Sequence, residues 1–386
     1  MKRLITYAAT ALALVAAPAL AADTVKVGMI VTLSGPPGAL GNQARDGFQL
    51  ALDELGGKLG GLEAEFILED DELKADVAQT KAKALVEREG VDFVVGTIFS
   101  NMLAAIYKPV ISSGAFLISP NAGPSTFAGR NCNQNFFVTS YQNNQNFEVL
   151  GKIATEKGYE KVFMLAPNYQ AGKDSMAGFK KNYSGEIADE VFTPLGHKDF
   201  SAEIARIADA QADALFIFMP GGMGVRFVKQ FRASGLADKM AFLSAFTVDE
   251  TTLPAQKDDA VGMNGATNWA PDLDNSQTSA FVGAFEAKYG YIPGGYAMQA
   301  YDTAMLINSA IAAAGGTEDK DAVRAALKAA DFTSLRGDFS FNNNNYPVQD
   351  FYLLEVVKRE DGKFHTSIVE KVFDDYADSY ANECKL

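Results

Sequence analysis

The side chains that most often carry out catalysis are scarce in this sequence. His197 and His365 are its only histidines, and they are far apart in the chain. A serine or cysteine nucleophile therefore lacks the base that usually activates it. The sequence also has neither a Gly-x-Ser-x-Gly nucleophile elbow nor a His-Glu-x-x-His zinc motif. These features argue against an enzyme.

Four consecutive acids at residues 69–72 form the one cluster that could supply the paired carboxylates of a glycosidase. Four adjacent negative charges would repel one another in an enclosed site, so the cluster favours a solvated strand end and turn. The two cysteines, Cys132 and Cys384, have no histidine at the spacing of a metal site. We therefore predict neither a metal nor a cofactor, and an enzyme is the least favoured class.

Small and hydroxyl residues follow the predicted strands, where a backbone could approach a ligand. In open α/β sheets, ligands lie at the carboxyl ends of the strands, because turns and helix amino termini present unpaired N–H groups there. The glycine-rich turn at 219–224 lacks the ending of a phosphate loop and the spacing of a dinucleotide fingerprint. The turns of interest cover residues 32–38, 96–101, 119–125, 167–172, 219–224 and 246–249.

The elements that would position these turns repeat one pattern from Val25 onward: a β-branched apolar run, a turn, and an amphipathic stretch. Alternating strands and helices predict an α/β fold with parallel sheets covered by helices on both faces. The pattern restarts at Asn143, which indicates two similar lobes. Helical stretches after Asn268 fit a chain that crosses back to the first lobe. The asparagine run at 342–345 is either a further crossing or an exposed loop.

The amino terminus has the features of a secretory signal. Lys2 and Arg3 precede an apolar stretch at 4–18, and small residues around Ala21 predict cleavage after it. The apolar stretch is too short for a comfortable membrane anchor, and no later segment has 18 unbroken apolar residues, so we expect a soluble product. The remaining 365 residues are enough for two domains. In an oxidising compartment, we expect Cys132 and Cys384 to form a disulfide.

The charge of the chain bears on its partners. The formal net charge is −14, and removal of Lys2 and Arg3 with the signal takes it to −16. Such acidity argues against nucleic acid or an anionic membrane surface as the main partner, because both require basic patches. The net charge says little about a small ligand, since a local binding site can carry the opposite charge.

Several segments, in this order and spacing, resemble the branched-chain amino acid type of periplasmic solute-binding protein over nearly all of the mature chain. They are GMIVTLSG at 28–35, the GTIFS and LISPNAG turns, NYQAG at 168–172, NWAPDL at 268–273, and Tyr296-Ala297 with Tyr301-Asp302-Thr303-Ala304. The resemblance implies two Rossmann-like lobes joined by three hinge crossings, a ligand enclosed between them, and delivery to an inner-membrane ABC permease. It also implies a periplasmic protein, which we expect to be a monomer.

The same resemblance implies lobe boundaries. After the signal at 1–21, the N-terminal lobe would comprise residues 22–141 and 270–346, and the C-terminal lobe residues 142–269 and 347–386. The crossings would fall near 139–143, 268–271 and 345–350. Both cysteines would then lie near the hinge.

Departures from the amino-acid-binding pattern point to a different ligand. Gly123 stands where those proteins have a carboxylate-binding threonine, Ala171 replaces a tyrosine, and Phe246 occupies the place of the acid that binds the ammonium group. An aromatic ring cannot offset the desolvation of an enclosed ammonium group as a carboxylate can. With its MPGG, FTVDE and NWAPDL segments, the chain is most similar to the branch that binds aromatic carboxylates such as benzoate, hydroxybenzoate or p-coumarate derivatives.

We therefore expect Ser100 and nearby N–H groups, with residues 121–123, to hold a carboxylate while aromatic side chains line its ring. The expected ligand-binding residues are Ser34, Phe99, Ser100, Asn121, Ala122, Gly123, Tyr169, Ala171, Pro220, Gly221, Phe246 and Trp269. For the aromatic residues, ordinary core packing is the alternative. A branched-chain amino acid or amide receptor, or the ligand-sensing subunit of a membrane signalling system, remain alternative functions.

Overall fold

The computed structural model describes residues 24–386, so the predicted signal and its cleavage after Ala21 lie outside the described residues. The strands are β1 (Thr24–Val31), β2 (Lys58–Leu59), β3 (Leu62–Asp70), β4 (Phe93–Gly96), β5 (Phe116–Ser119), β6 (Phe136–Val138), β7 (Lys161–Pro167), β8 (Glu186–Thr193), β9 (Ala214–Ile217), β10 (Ala241–Ser244), β11 (Asn264–Thr267), β12 (Ser340–Phe341), β13 (Pro347–Lys358) and β14 (Phe364–Tyr376). The helices are α1 (Gly38–Glu54), α2 (Ala75–Ala84), α3 (Ser100–Ser113), α4 (Ser125–Ala128), α5 (Gln145–Glu156), α6 (Gln170–Asn182), α7 (Ser201–Ala210), α8 (Gly222–Ala233), α9 (Leu253–Gln256), α10 (Ser276–Tyr289), α11 (Gly295–Ala314) and α12 (Lys320–Ala329).

The first lobe is built on a six-stranded sheet in the order β2-β3-β1-β4-β5-β6. All neighbours are parallel except β2 and β3, which form a hairpin. Strands β4 and β5 are short and buried along their whole length, as expected when helices cover both faces of a parallel sheet. Their carboxyl ends place the predicted ligand turns at one edge of this sheet.

Helix α11 returns to the first lobe and packs along α1. A Cβ on Gly47 of α1 would lie 2.0 Å from the carbonyl oxygen of Ala297 on α11, so only glycine permits this close approach. The sequence-based prediction that the late helical block crosses back to the first lobe is therefore confirmed. Among residues 24–386, no helix combines the length and the apolar character that a membrane span requires.

The second lobe contains the larger sheet, in the order β12-β13-β11-β10-β9-β7-β8, with β14 paired to β13. Strands β7 to β11 are mutually parallel, whereas β13 runs antiparallel to β11 and to β14. The two terminal runs predicted as strands are thus an antiparallel addition to a parallel sheet. The predicted two-lobed α/β architecture is confirmed.

The chain passes between the lobes after β6, after β11 and before β13, and a buried polar network joins these three crossings. Asn268 Nδ2 donates to Ser140 O at 3.0 Å and to Gln349 Oε1 at 3.0 Å. Gln349 Nε2 also donates to Ser140 O at 2.6 Å, and Arg336 Nη1 donates to Gln349 Oε1 at 2.6 Å. Asp302 on α11 pairs with Arg336 at 2.9 Å. The exact lobe boundaries at 141, 269 and 346 stay a prediction.

The carboxyl terminus leaves the second sheet after β14 and binds to the first lobe. Cys384 is bonded to Cys132, with 5.7 Å between their Cα atoms, so the predicted disulfide is confirmed. The asparagine run supports this connection: Asn344 Nδ2 donates to Ala128 O at 2.8 Å, and Asn345 Nδ2 donates to Phe136 O at 3.1 Å. Asn344 and Asn345 are buried whereas Asn343 is exposed, so the run is not simply an exposed loop.

The acidic cluster at 69–72 is not the solvated turn that the sequence suggests. Asp71 is fully buried and accepts a hydrogen bond from Thr32 Oγ1 at 2.6 Å. Asp70 Oδ1 accepts from the backbone N–H of Leu33 at 3.0 Å. These two carboxylates hold the turn after β1, although burial raises the pKa of Asp71 and its Oδ2 has no hydrogen-bond partner in the described part of the chain. Glu72 alone is exposed.

Candidate functional site

A cavity lies between the lobes at the carboxyl ends of the strands of both sheets; we call it the main cavity. About 370 Å³ of space, open solvent included, lies between its lining atoms. Its lining residues come from the turns after β4, β5, β7, β9 and β10, from the first crossing, and from α1, α5 and α11. They are Leu40, Ile98, Phe99, Ser100, Asn121, Ala122, Tyr141, Asn143, Phe147, Tyr169, Ala171, Phe218, Pro220, Phe246 and Tyr296.

The structure brings eight of the predicted ligand-binding residues together around the main cavity. They are Phe99, Ser100, Asn121, Ala122, Tyr169, Ala171, Pro220 and Phe246. Four others do not line it: Ser34, Gly123, Gly221 and Trp269. The turns after β4, β5, β7, β9 and β10 therefore converge as the sequence predicts, whereas the exposed residue Ser34, in the turn after β1, lies outside.

Trp269 is a core residue of the first lobe and does not line the main cavity. Its side chain is 1% exposed, and its ring packs edge-on against Phe281 with 6.1 Å between the ring centres. The indole N–H donates to Thr278 Oγ1 at 2.9 Å, so its polar atom is satisfied inside the protein. The core-packing alternative describes this residue.

One end of the main cavity is polar and centres on Ser100, the first residue of α3. Asn143 Nδ2 donates to Ser100 Oγ at 3.1 Å, which leaves the hydroxyl hydrogen of Ser100 free to point at a ligand. The positive end of the α3 dipole also favours an anion at this position. Asn143 Nδ2 donates in addition to Asp174 Oδ2 on α6 at 2.9 Å, which links this end to the second lobe.

The turn after β5 supports the polar end through the backbone. Gly123 N–H donates to Asn143 Oδ1 at 3.0 Å, and Ala122 N–H makes a long 3.3 Å bond to Thr97 O. A Cβ on Gly123 would lie 1.8 Å from Tyr141 O, so no threonine fits on this backbone. Gly123 therefore orients Asn143, and its own N–H is already engaged within the protein.

Asn121 also acts as a positioning residue. Its Nδ2 donates to Ile98 O at 2.7 Å, and its Oδ1 accepts from the Tyr141 hydroxyl at 2.7 Å. Its carbonyl oxygen accepts from Ser140 Oγ at 2.8 Å. The side chain thus fixes the turns after β4 and β5 relative to the first crossing, and it keeps the ring of Tyr141 against the cavity.

Aromatic rings form most of the remaining wall. Four pairs of ring centres lie close: Tyr141 and Phe246 at 5.4 Å, Phe147 and Phe218 at 5.2 Å, Phe99 and Tyr169 at 6.1 Å, and Phe246 and Tyr296 at 6.2 Å. Spacings of this kind are favourable for offset or edge-on aromatic packing. The wall therefore suits a flat, apolar ring.

The sequence-based prediction missed the rings of Tyr141, Phe147, Phe218 and Tyr296. Phe218 directly follows β9 and precedes the predicted turn, so its position at a strand end was the available signal. Tyr141 and Phe147 flank the first crossing, and Tyr296 begins α11, which returns from the far end of the chain. Their approach to the cavity depends on how the lobes meet.

Phe246 is held in an unusual backbone conformation. Its φ is 59°, in the left-handed region that non-glycine residues seldom adopt. Such conformations concentrate at functional sites, where the surrounding structure must hold them in place. Here the conformation places the ring directly after β10, in contact with Tyr141 and Tyr296.

The electrostatic character of the main cavity is neutral, because every lining residue is uncharged. Burial raises the pKa of the Tyr169 and Tyr296 hydroxyls far above their usual value, so both stay protonated and able to donate. An anion in this cavity would therefore be held by neutral donors.

The comparisons with known proteins agree with this geometry. Residues 24–363 match the family model described as periplasmic binding protein. The chain belongs to the periplasmic binding protein family. The resemblance inferred from the sequence is thereby confirmed.

Three relatives illustrate what this periplasmic binding protein is similar to. Leu/Ile/Val-binding protein homolog 6 of Brucella melitensis is 30% identical over 380 residues, covering 94% of this chain and 96% of the relative. A solute-binding protein of an ABC transporter from R. palustris, solved with benzoate, has a TM-score of 0.88 at 30% identity and covers 94% of this chain and 100% of that chain. One from Rhodopseudomonas palustris BisB5, solved with 3,4-dihydroxybenzoic acid, has a TM-score of 0.87 at 29% identity, covering 92% and 99%.

The lobes of this periplasmic binding protein touch at the rim of the main cavity. Asp174 on α6 accepts hydrogen bonds from the Ser125 hydroxyl at 2.6 Å and from its backbone N–H at 3.2 Å. Gly222, the first residue of α8, lies so close to Pro36 that a Cβ on it would be 2.9 Å from Pro36 Cβ. These contacts enclose the cavity only when the lobes approach each other as they do here.

Proposed function

We propose that this protein is a periplasmic receptor that encloses a small aromatic carboxylate between its lobes and delivers it to an ABC permease. The observation that carries the proposal is a neutral cavity with aromatic walls and a polar end at Ser100. Such a site matches a flat ring with one carboxylate, and benzoate and 3,4-dihydroxybenzoic acid are the ligands in the two similar structures. Export with cleavage after Ala21, and action as a monomer, complete the proposal.

Donors at the polar end supply the specific contacts. Ser100 would donate its hydroxyl hydrogen to the carboxylate, and Asn143 would hold the Ser100 oxygen in place. The rings of Phe99, Tyr169 and Phe246 would cover the faces and edge of the ligand ring. Desolvation of the ring then favours closure, since burying apolar surface contributes about 25 cal/mol per Å².

Calorimetry with ligand-stripped protein tests this function. We expect at least one of benzoate, 4-hydroxybenzoate and p-coumarate to bind, while leucine gives no heat of binding. Ser100→Ala should weaken the binding of the aromatic acid by roughly tenfold to a hundredfold, because the variant loses a hydrogen bond to a charged group. Ser112→Ala, an exposed serine on the same helix, serves as the matched control and should bind as the wild type does. Tight leucine binding without any response to the aromatic acids would refute the proposal.

The branched-chain amino acid alternative is favoured by the name of the Brucella relative. An amino acid carries its ammonium group on the carbon next to the carboxylate, so an acidic side chain would be needed at the polar end. The lining of the main cavity contains no such side chain, and an unpaired ammonium there would be strongly disfavoured. A sensing role would use the same cavity, and capture of the protein by its permease in detergent would distinguish transport from sensing.

Closure of the lobes gives a separate prediction. Gly222→Ala should raise the dissociation constant for the aromatic acid about tenfold, because the added methyl group would wedge against Pro36 and disfavour the closed arrangement. Alanine is a better helix former than glycine, so the lobe itself should not lose stability. The control is Gly283→Ala on α10, where an added Cβ meets no atom within 4 Å. Unchanged affinity in Gly222→Ala would contradict the closure geometry.

A further inference from the structure

A second cavity adjoins the main cavity, and about 380 Å³ of space, open solvent included, lies between its lining atoms. Phe246 and Tyr296 line both cavities, so the two cavities meet at these rings. Asp249 and Glu250, which follow Phe246 closely in the chain, line the second cavity only. The acidic side chains missing from the main cavity are therefore found behind its aromatic end.

Asp249 has one oxygen that the protein does not use. Its Oδ1 accepts from the Thr251 backbone N–H at 2.8 Å and also from the Thr251 hydroxyl. Its Oδ2 is buried and has no hydrogen-bond partner within the described part of the chain. Buried carboxylate oxygens are normally paired, so an unpaired one on a residue that lines a cavity is a candidate acceptor for a ligand.

Glu250 also uses one carboxylate oxygen within the protein. Its Oε1 accepts from both the backbone N–H and the hydroxyl of Thr366, each at 2.8 Å. It therefore holds β14 against the loop after β10. Both acids line the second cavity, and of the two only Asp249 has a buried carboxylate oxygen without a hydrogen-bond partner in the described part of the chain.

We propose that Asp249 accepts a hydrogen bond from a donor on the ring of the bound acid, at the end opposite the carboxylate. This inference rests on the proposed function, and it names the ligand class: aromatic carboxylates that carry a hydroxyl or amino group across the ring. With the carboxylate at Ser100, the ring extends toward Phe246 and Tyr296, and its far substituent points to the second cavity. The ammonium group of an amino acid is bonded to the same carbon as the carboxylate, so with the carboxylate at Ser100 it would lie at the opposite end from Asp249.

Calorimetry with three ring-substituted benzoates tests the role of Asp249. The wild type should bind 4-hydroxybenzoate and 4-aminobenzoate about tenfold more tightly than 4-methylbenzoate, whose methyl group has similar size and no donor. Asp249→Asn keeps an oxygen for Thr251 and turns an N–H toward the ligand. Because an aryl amine is a poor acceptor, the variant should lose its preference for 4-aminobenzoate. Asp209→Asn, an exposed aspartate on α7, is the matched control and should keep it.

The outcomes separate this inference from the proposed function. Equal affinities of the wild type for the three benzoates would overturn the role of Asp249 but would still agree with the proposed function as an aromatic-acid receptor. Retention of the 4-aminobenzoate preference by a folded Asp249→Asn protein would also overturn it. Binding of none of the benzoates would refute both proposals. If the variant fails to fold, as judged by its thermal transition, the comparison of the three ligands on the wild type decides alone.

Discussion

Replacing both Cys132 and Cys384 by serine should lower the free energy of unfolding by about 5 kcal/mol. The disulfide joins residues 252 positions apart, so it closes a very long loop in the unfolded chain. In the chain-entropy model, such a loop restricts the unfolded ensemble more than a short one does. The bond also attaches the carboxyl-terminal segment of the second lobe to the first, so part of the loss should appear as fraying after β14.

Urea unfolding of the mature protein measures this effect. Reducing agent should destabilise the wild type by a similar amount and leave the serine variant unchanged. The network around Asn344 and Asn345 should keep the folded variant two-lobed, because these side chains bind the first lobe independently of the disulfide. A loss below about 1 kcal/mol would contradict the chain-entropy account.

Arg336→Met should lower the free energy of unfolding by about 3–5 kcal/mol, because it leaves Asp302 buried without a cation. Asp302 is completely buried and Arg336 is 2% exposed. Burial already raises the pKa of Asp302 despite the neighbouring guanidinium group, and removal of Arg336 should raise it further. An acid whose folded-state pKa rises loses stability as the pH increases toward that pKa, so the deficit should be larger at pH 8 than at pH 5.

Denaturation at both pH values tests this prediction. Arg359→Met is the control: Arg359 is 30% exposed and pairs with Glu286 at 2.6 Å, so its loss should cost less than about 1 kcal/mol. Arg336 also donates to Gln349 at the third crossing, so its loss should loosen the hinge. Equal effects of the two substitutions would show that the buried pair does not hold the crossings together.

Helices and strands could be predicted from the sequence where they were long enough to show a periodic pattern of apolar residues. The apolar run at 25–31 became β1, Thr24–Val31, and the late helical block packed on the first lobe as expected. The short strands β6, with the sequence FFV, and β11, with the sequence NGAT, offer too few residues or too few apolar residues to be recognised in the sequence. Their places in the sheets are fixed by neighbouring strands.

Burial of polar residues was the least predictable property of the chain. Asp71 and Asn344 are of residue types that usually face solvent, yet both are buried. In each case the partner lies far away in sequence: Thr32 for Asp71, and Ala128 for Asn344. A pattern read along the chain cannot reveal such partners, because the fold brings them together.

The candidate site also combines features that the sequence predicts with features that it does not. Turns at strand ends were predictable, because parallel strands present their carboxyl ends at one edge. The sequence could not show which aromatic residues line the main cavity. Trp269 packs in the core and bonds Thr278, whereas Tyr296 lines the cavity. The turn at 246–249 was of interest in the sequence, but only the fold shows that Phe246 lines the main cavity and Asp249 lines the cavity beside it.

The most direct test of the central claim is native mass spectrometry of ligand-stripped protein incubated with equal concentrations of 4-hydroxybenzoate and leucine. The neutral, aromatic main cavity predicts a complex whose added mass equals one molecule of 4-hydroxybenzoate. A complex that carries only leucine would contradict the account, because the cavity lining offers no acidic partner for its ammonium group.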